Sequence, residues 1–130
     1  MKSLLMHPYI LVFVGGGAGS LLRYATGRLI PATLLGTSFP IPILIVNVVA
    51  SFVLGAVMGW VLSRAAGDDL RLLLGVGFCG GLSTFSSFSN DTVALLQSNR
   101  PVAALINISL NVTLCLLASV GGLWLGQKTA

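Results

Sequence analysis

The side chains with the most chemical potential lie in one apolar stretch, residues 77–89. It carries three glycines, three phenylalanines and six hydroxyl or thiol groups within a segment long enough to cross a membrane. Its glycines each weaken a helix by roughly 1 kcal/mol relative to alanine. Interrupted backbone at membrane depth is tolerated only where protein or a cavity surrounds it. We therefore predict that this stretch forms the functional site.

Asn47 is an amide side chain inside an otherwise apolar segment. An amide in such surroundings must find hydrogen-bonding partners, because its transfer from water into an apolar medium is unfavourable. Two roles are open to its NH₂ group. It could join two helices by a hydrogen bond, or it could donate to an anion that passes along the protein. The sequence favours neither role.

A row of polar side chains follows one face of the last apolar segment. Its members recur every four residues, a spacing that stacks side chains on one side of a helix: Asn107, Asn111, Cys115 and Ser119. Such a row must face protein or water. Interhelical hydrogen bonding explains it, and so does one wall of a polar track in which the two amides act as donors.

Phe85 and Phe88 are three residues apart and therefore share a helical face, with Ser86 and Ser89 beside them. Phenylalanines in a membrane helix usually serve packing or lipid contact. Next to glycines and hydroxyls a second interpretation gains weight, because the edge of an aromatic ring is positively polarised. Anions could pass along such ring edges.

Two charged residues near the ends of apolar segments have open roles. Arg23 could extend its side chain to lipid headgroups, or it could form a positive vestibule that attracts anions. Asp91 is the one acidic residue outside the linker that holds Asp68 and Asp69. The sequence does not identify the partner of Asp91.

The composition indicates what positions these side chains. Of the 130 residues, 55% are hydrophobic and 8% are charged, whereas a typical soluble domain has about 25% charged residues. We therefore predict an all-α membrane protein with a single domain, 1–130. The charged residues separate apolar segments that match the roughly 20 residues a span requires. Four transmembrane helices are expected near residues 8–29, 42–63, 70–97 and 101–126, the third broken between Gly80 and Ser83.

Small residues at four-residue spacing predict close contact between these helices. They are Gly15 and Gly19, Ser51 with Gly55 and Gly59, Gly77 and Gly81, and Gly122 and Gly126. Prolines at positions 31, 40 and 42 predict an irregular loop between the first two helices. Four short helices enclose little interior space, so a transport pathway is expected to need two chains.

The basic residues are divided almost evenly between the two expected membrane faces. One face would carry Lys2, Arg64, Arg71 and Lys128, and the other Arg28 and Arg100, with Arg23 if it reaches that interface. The positive-inside rule needs a clearer bias than this to fix one orientation. We expect insertion in both orientations (dual topology) and an antiparallel homodimer, whose two-fold contact is self-complementary.

Several other classes of function are disfavoured. The only histidine is His7, and the sequence has no catalytic triad pattern, carboxylate pair or Cys/His cluster, so we do not expect an enzyme. The glycines at 15–17 follow no strand, which argues against a nucleotide-binding loop. The net charge of +4 is spread along the chain, which fits lipid headgroups rather than nucleic acid.

Taken together, these motifs resemble the Fluc (CrcB) family of small bacterial fluoride channels over essentially the whole chain. Four features match in order: residues 16–24 in helix one, Asn47 with Ser51, Phe52 and Gly55 in helix two, residues 77–89 in helix three, and the small and polar stripe of helix four. The third feature is close to diagnostic, whereas each of the others would be weak alone.

The resemblance implies a passive channel that exports cytoplasmic fluoride through two pores of an antiparallel, dual-topology homodimer in the bacterial plasma membrane. It implies a structural Na⁺ at the dimer centre, held by the backbone carbonyls of Gly80 and Ser83 of each chain. By motif position, Arg23 would lie in the vestibule. The fluoride pathway would contain Asn47, Phe85, Phe88, Ser86, Ser89, Asn111, Cys115 and Ser119.

Three positions depart from the family pattern. Ala50 stands where a glycine is usual, Asp91 where a glutamate is usual, and Cys115 where a serine is common. A thiol is a weaker donor than a hydroxyl, so the departure at Cys115 bears on the helix-four track.

Two other functions are compatible with a small four-helix protein. A multidrug-type, dual-topology, proton-coupled exporter would need a carboxylate deep in the membrane, whereas Asp91 is expected near the end of its span. A structural membrane subunit without transport is the third interpretation. Fluoride flux through purified protein distinguishes among them.

Overall fold

A computed structural model describes residues 7–130, and Lys2 lies outside them. Helix α1 spans Pro8–Leu29 and has a proline in its first turn, where the missing N–H removes no helical hydrogen bond. Two short strands follow, β1 (Thr33–Leu34) and β2 (Thr37–Ser38), which pair antiparallel. The predicted irregular loop therefore contains a small hairpin. Its turn residues Leu35 and Gly36 have φ values of 52° and 78°.

The next helices are α2, Ile41–Leu62, and a third span, Asp68–Gln97, that is not one regular helix. It begins with α3 (Asp68–Leu70), widens into a π-helix (Arg71–Cys79), and narrows again in α4 (Gly80–Leu82). After an interruption, α5 continues over Phe85–Gln97, and α6 spans Pro101–Lys128. These bounds can be compared with the predicted 8–29, 42–63, 70–97 and 101–126.

The interruption of the third span lies at Ser83 and Thr84, which are extended, with ψ of 155° and 118°. The sequence placed the break between Gly80 and Ser83, whereas Gly80 is still helical. The observed break therefore consists of Ser83, the last residue of the predicted break, and Thr84, which follows it. The glycine pattern misled because Gly77 and Gly81 serve helix packing rather than loss of helix.

The fold is that of an all-α membrane protein, as predicted. Among residues 7–130, three segments are long and apolar enough to cross a membrane: Ile41–Leu62, Asp68–Gln97 and Pro101–Lys128. The 22-residue helix α1 has a comparable length. Its glycines and its arginines at 23 and 28 make it less apolar than the other three.

The small residues bring helix backbones into direct contact in two pairs. A Cβ atom on Gly19 would overlap the carbonyl oxygen of Phe78, and one on Gly81 would overlap that of Gly16, so α1 lies directly against the third span. Gly55 and Gly122 make the equivalent contacts between α2 and α6. Contacts that lie later along one helix also lie later along its partner, so the helices of each pair run parallel.

The parallel pairs define the two ends of the molecule. At one end the indole N–H of Trp60 donates to Thr129 Oγ1 at 3.0 Å, which brings the ends of α2 and α6 together. At the other end Arg100 donates to the carbonyl of Ser38 in the hairpin. A buried cluster of Val46, Ala50, Cys79 and Leu82 fixes α2 against the third span directly before the break.

Candidate functional site

The break opens onto a cavity of about 270 Å³ formed by α2, α5, α6 and the two extended residues. Six predicted site residues line it: Asn47, Ser83, Phe85, Phe88, Asn111 and Cys115. Ser51, Thr84 and Val112 complete the lining. Side chains from three distant parts of the sequence therefore meet beside the interrupted helix.

Asn47 holds the backbone of the break. Its Oδ1 accepts a hydrogen bond from the N–H of Thr84 at 2.8 Å, and its Nδ2 lies 3.4 Å from the carbonyl oxygen of the same residue. In a continuous helix the N–H of Thr84 would donate to the carbonyl of Gly80, four residues earlier. Because this N–H donates to Asn47 instead, the carbonyl of Gly80 lacks its helical partner.

Thr84 also begins the next helix. Its Oγ1 accepts from the backbone N–H of Ser87 at 3.1 Å, the standard arrangement of an N-cap residue. Ser86 contacts the same oxygen at 3.1 Å, and Ser89 donates back to the carbonyl of Phe85 at 2.9 Å. Ser86 and Ser89, both predicted for the pathway, are thus near the cavity without belonging to its lining.

The rings of Phe85 and Phe88 lie side by side at the cavity, their centroids 5.5 Å apart and their planes inclined by 54°. Phe85 is 79% exposed in the single chain, whereas Phe88 is partly buried. This ring is thus as exposed on the single chain as Phe13 on α1, which is 81% exposed.

The polar row of α6 connects to Asn47. Asn47 Nδ2 donates to Asn111 Oδ1 at 3.1 Å, and Asn111 Nδ2 donates to both the backbone and the side-chain oxygen of Asn107 at 3.0 Å. Of the two roles open to Asn47, the helix–helix hydrogen bond is observed. Donation to an anion stays a prediction.

Two residues of that row differ from the expected arrangement. Asn107 was not among the predicted site residues, yet it is 1% exposed and holds the amide of Asn111. Ser119 lies at the contact between α2 and α6, where its Oγ is 3.5 Å from the carbonyl oxygen of Ser51. Ser119 therefore does not line the cavity.

Arg23 faces a second cavity, of about 420 Å³, on the α1 side of the break. This cavity is also lined by Ser20, Tyr24, Arg28 and Ser87. Two guanidinium groups and several hydroxyls on one concave surface give it the chemistry of an anion vestibule.

Asp91 lies in a third cavity, of about 330 Å³, between the hairpin and α5. Arg100 lines the same cavity. Within residues 7–130 the recorded ion pair is that of Arg71 with Asp68, at 2.8 Å in the polar linker. Asp91 thus lines the same cavity as the guanidinium side chain of Arg100 and does not line the cavity beside the break.

Gly80 and Ser83 line a fourth cavity, of about 280 Å³, with Ala50, Leu54 and Val76. Gly80 is exposed at the surface of the single chain, and no atom would obstruct a Cβ there within 4 Å. Carbonyl oxygens are ligands suited to a hard cation. Residues 7–130 contain no cluster of His, Cys, Asp or Glu side chains able to hold a metal.

Comparison with known proteins gives a consistent result. A family described as "CrcB-like protein, Camphor Resistance (CrcB)" matches residues 10–123. Proteins named "Fluoride-specific ion channel FluC" are similar along nearly their whole length. The protein of Shewanella amazonensis is 39% identical over 123 residues, which is 95% of each chain. That of Sulfurihydrogenibium sp. is 41% identical over 123 residues, 94% of this chain and 98% of the relative. That of Coxiella burnetii is 40% identical over 119 residues, 90% and 92% of the two chains.

Proposed function

The chain belongs to the CrcB family, and from this membership we propose that it is a fluoride-selective passive channel that exports cytoplasmic fluoride. The family consists of multi-pass membrane proteins, consistent with a location in the bacterial inner membrane. Its relatives are named as ion channels rather than enzymes, so the expectation of a non-enzyme is confirmed.

The observation that carries the proposal is the chemistry of the cavity beside the break. Amide, hydroxyl and thiol groups meet two aromatic rings there, and none of the lining residues carries a carboxylate. Fluoride is small and strongly hydrated, so a selective path must replace its water with donors and still release the ion. Neutral donors and ring edges meet both demands, because they attract an anion without holding it by a full opposite charge.

We further propose that the working unit is an antiparallel homodimer with two pores. The exposed backbone of Gly80 supports a covering partner, because lipid offers an unpaired carbonyl no hydrogen bond. The charges support insertion in both orientations, since Arg64, Arg71 and Lys128 at one end are nearly balanced by Arg28 and Arg100 at the other. Tags on each terminus that report a single orientation would contradict dual topology.

A structural Na⁺ fits the residues at the break. Asn47 removes the helical partner of the Gly80 carbonyl, and Gly80 and Ser83 line one surface cavity. The carbonyls of these two residues would hold the ion, which would supply a fixed positive charge between two chains. Replacement of Na⁺ by N-methylglucamine is expected to lower the dimer fraction in dilute detergent solution. An unchanged fraction would contradict the sodium site.

Fluoride efflux from liposomes that contain the purified protein tests the channel directly. We expect rapid fluoride release and far slower chloride release from matched vesicles. Equal rates for the two anions, or release no faster than from empty vesicles, would reject the proposal.

The same vesicles distinguish the proton-coupled exporter. A coupled exporter would drive substrate uphill when a pH gradient is applied, whereas a passive channel equilibrates fluoride irrespective of that gradient. Asp91 is the carboxylate an exporter would use, and it lines the cavity that Arg100 also lines rather than the cavity of the break. This arrangement favours the channel.

A further inference from the structure

We propose that Thr92 and Asn107 are positioning residues that set which way the amides of Asn111 and Asn47 point, and thereby keep the amide oxygens from facing the cavity beside the break. This inference deepens the proposed channel function and rests on it. The two residues are 8% and 1% exposed, respectively. Neither lines the cavity.

The hydrogen bonds form one directed series. Thr92 Oγ1 donates its single proton to the carbonyl of Phe88 at 2.8 Å. A hydroxyl committed in this way can only accept from other groups. Asn107 Nδ2 donates to it at 3.0 Å, so the NH₂ of Asn107 faces Thr92 and its oxygen faces Asn111.

The same logic continues along the series. Because Asn107 offers two oxygens to Asn111, the NH₂ of Asn111 faces Asn107 and its Oδ1 faces Asn47. Asn47 must then present its NH₂ to Asn111 and its oxygen to the N–H of Thr84. Each group in the series donates to the next, from the N–H of Thr84 at the break to the carbonyl of Phe88 on α5.

The series starts and ends on one helix. Thr84 is the N-cap of α5, and Phe88 is one turn further along it. The series therefore leaves α5 at its N-cap, passes through α2 and α6, and ends on α5 again. Hydrogen bonds linked in such a series polarise one another and are thereby strengthened.

The direction matters for the ion. An asparagine side chain can expose a donor or an acceptor, which are nearly equal in shape. With the series intact, the side-chain oxygens of Asn47 and Asn111 accept hydrogen bonds from N–H groups. These oxygens, which would repel an anion, therefore do not face the cavity. Without Thr92 or Asn107 either amide could rotate and direct its oxygen toward the path.

Thr92→Val removes the hydroxyl at nearly constant shape, and Thr92→Ser restores it. Thr113→Val is the matched control, because Thr113 is on the same bundle, exposed, and outside the series. For Thr92→Val we expect fluoride efflux to fall about tenfold, with Thr92→Ser and Thr113→Val within about twofold of the wild type. Asn107→Leu is a second variant with the same expected loss.

The side-chain amide NMR signals of Asn47 and Asn111, in protein labelled with ¹⁵N-asparagine, report the orientation itself. They should shift or broaden in Thr92→Val and remain in place in Thr113→Val. Unchanged signals, or changed signals without loss of flux in an active protein, overturn the inference. If the wild type carries no fluoride, the channel proposal fails, and the amide signals alone still decide whether Thr92 orients the asparagines.

Discussion

Asn47 Oδ1 accepts the backbone N–H of Thr84 across 2.8 Å, joining two residues that are 37 positions apart in sequence. Through this bond a side chain of α2 replaces a helical carbonyl as the partner of an N–H group in the third span. The bond keeps the helix interrupted, and it places the amide of Asn47 at the cavity wall.

Asn47→Ala is expected to lower both stability and flux. Thr84 is 7% exposed, and a buried N–H left without its acceptor costs about 1–3 kcal/mol. Thermal unfolding in detergent and fluoride efflux from liposomes measure the two effects. Asn90→Ala is the control, because Asn90 is exposed on α5. Equal unfolding temperatures for the two variants would contradict the role of Asn47.

Phe85→Ile and Phe88→Ile should each abolish fluoride flux, because an aliphatic side chain lacks the polarised ring edge. The dimer should stay intact, as gel filtration can establish. Phe13→Ile is a matched control, since Phe13 lies on α1 and is 81% exposed in the single chain, comparable to Phe85. Normal flux in both variants of the pair would show that these rings serve packing only.

The two cysteines should differ in their response to a small, charged methanethiosulfonate reagent. Cys115 lines the cavity and is partly exposed, whereas Cys79 is 2% exposed in the core. Modification of the wild type is expected to block flux. Cys115→Ser should conduct, because a hydroxyl is a competent donor, and should resist the reagent. Cys79→Ser should stay sensitive, and protection by that change instead would place the reactive thiol elsewhere.

Gly81→Ala should destabilise the fold, because its Cβ would overlap the carbonyl of Gly16 on α1. Overpacking of this kind typically costs about 1–3 kcal/mol. Gly17→Ala is the control, since nothing lies within 4 Å of a Cβ there. That change should be neutral or stabilise α1 by up to about 1 kcal/mol. Thermal unfolding compares them, and equal midpoints would argue against backbone contact between α1 and the third span.

The sequence is a good guide to the helices of this protein. Long intervals without charge mark the spans, since a charged side chain at membrane depth is unfavourable. Four-residue spacing of glycines correctly indicated which faces meet. The hairpin after α1 was not foreseen, because two-residue strands leave little pattern and Leu35 adopts a left-handed φ of 52° without a glycine at that position.

The site is less readable from the sequence, because its bonds join distant segments. Residues 80–83 carry the local signal of weak helix, whereas the actual interruption extends to Thr84, whose N–H is claimed by Asn47. Asn107 belonged to the recognised polar row, and its period could have identified it as a neighbour of Asn111. Thr92 carries no such signal, since a lone threonine in a helix usually bonds only to its own backbone.

The π-helix at Arg71–Cys79 has a consequence for how this protein tolerates changes of length. A π-helix holds an extra residue relative to an α-helix of the same rise. Deletion of one residue from it would let the backbone return to an α-helix while the residues beyond keep their facing, because the residue lost is the extra one. Gly81 would then keep its contact with α1, and Phe85 and Phe88 would stay at the cavity. The nine residues before the break can thus lose one residue without a turn of the following segment, whereas the same deletion in a regular α-helix would turn that segment by about 100°.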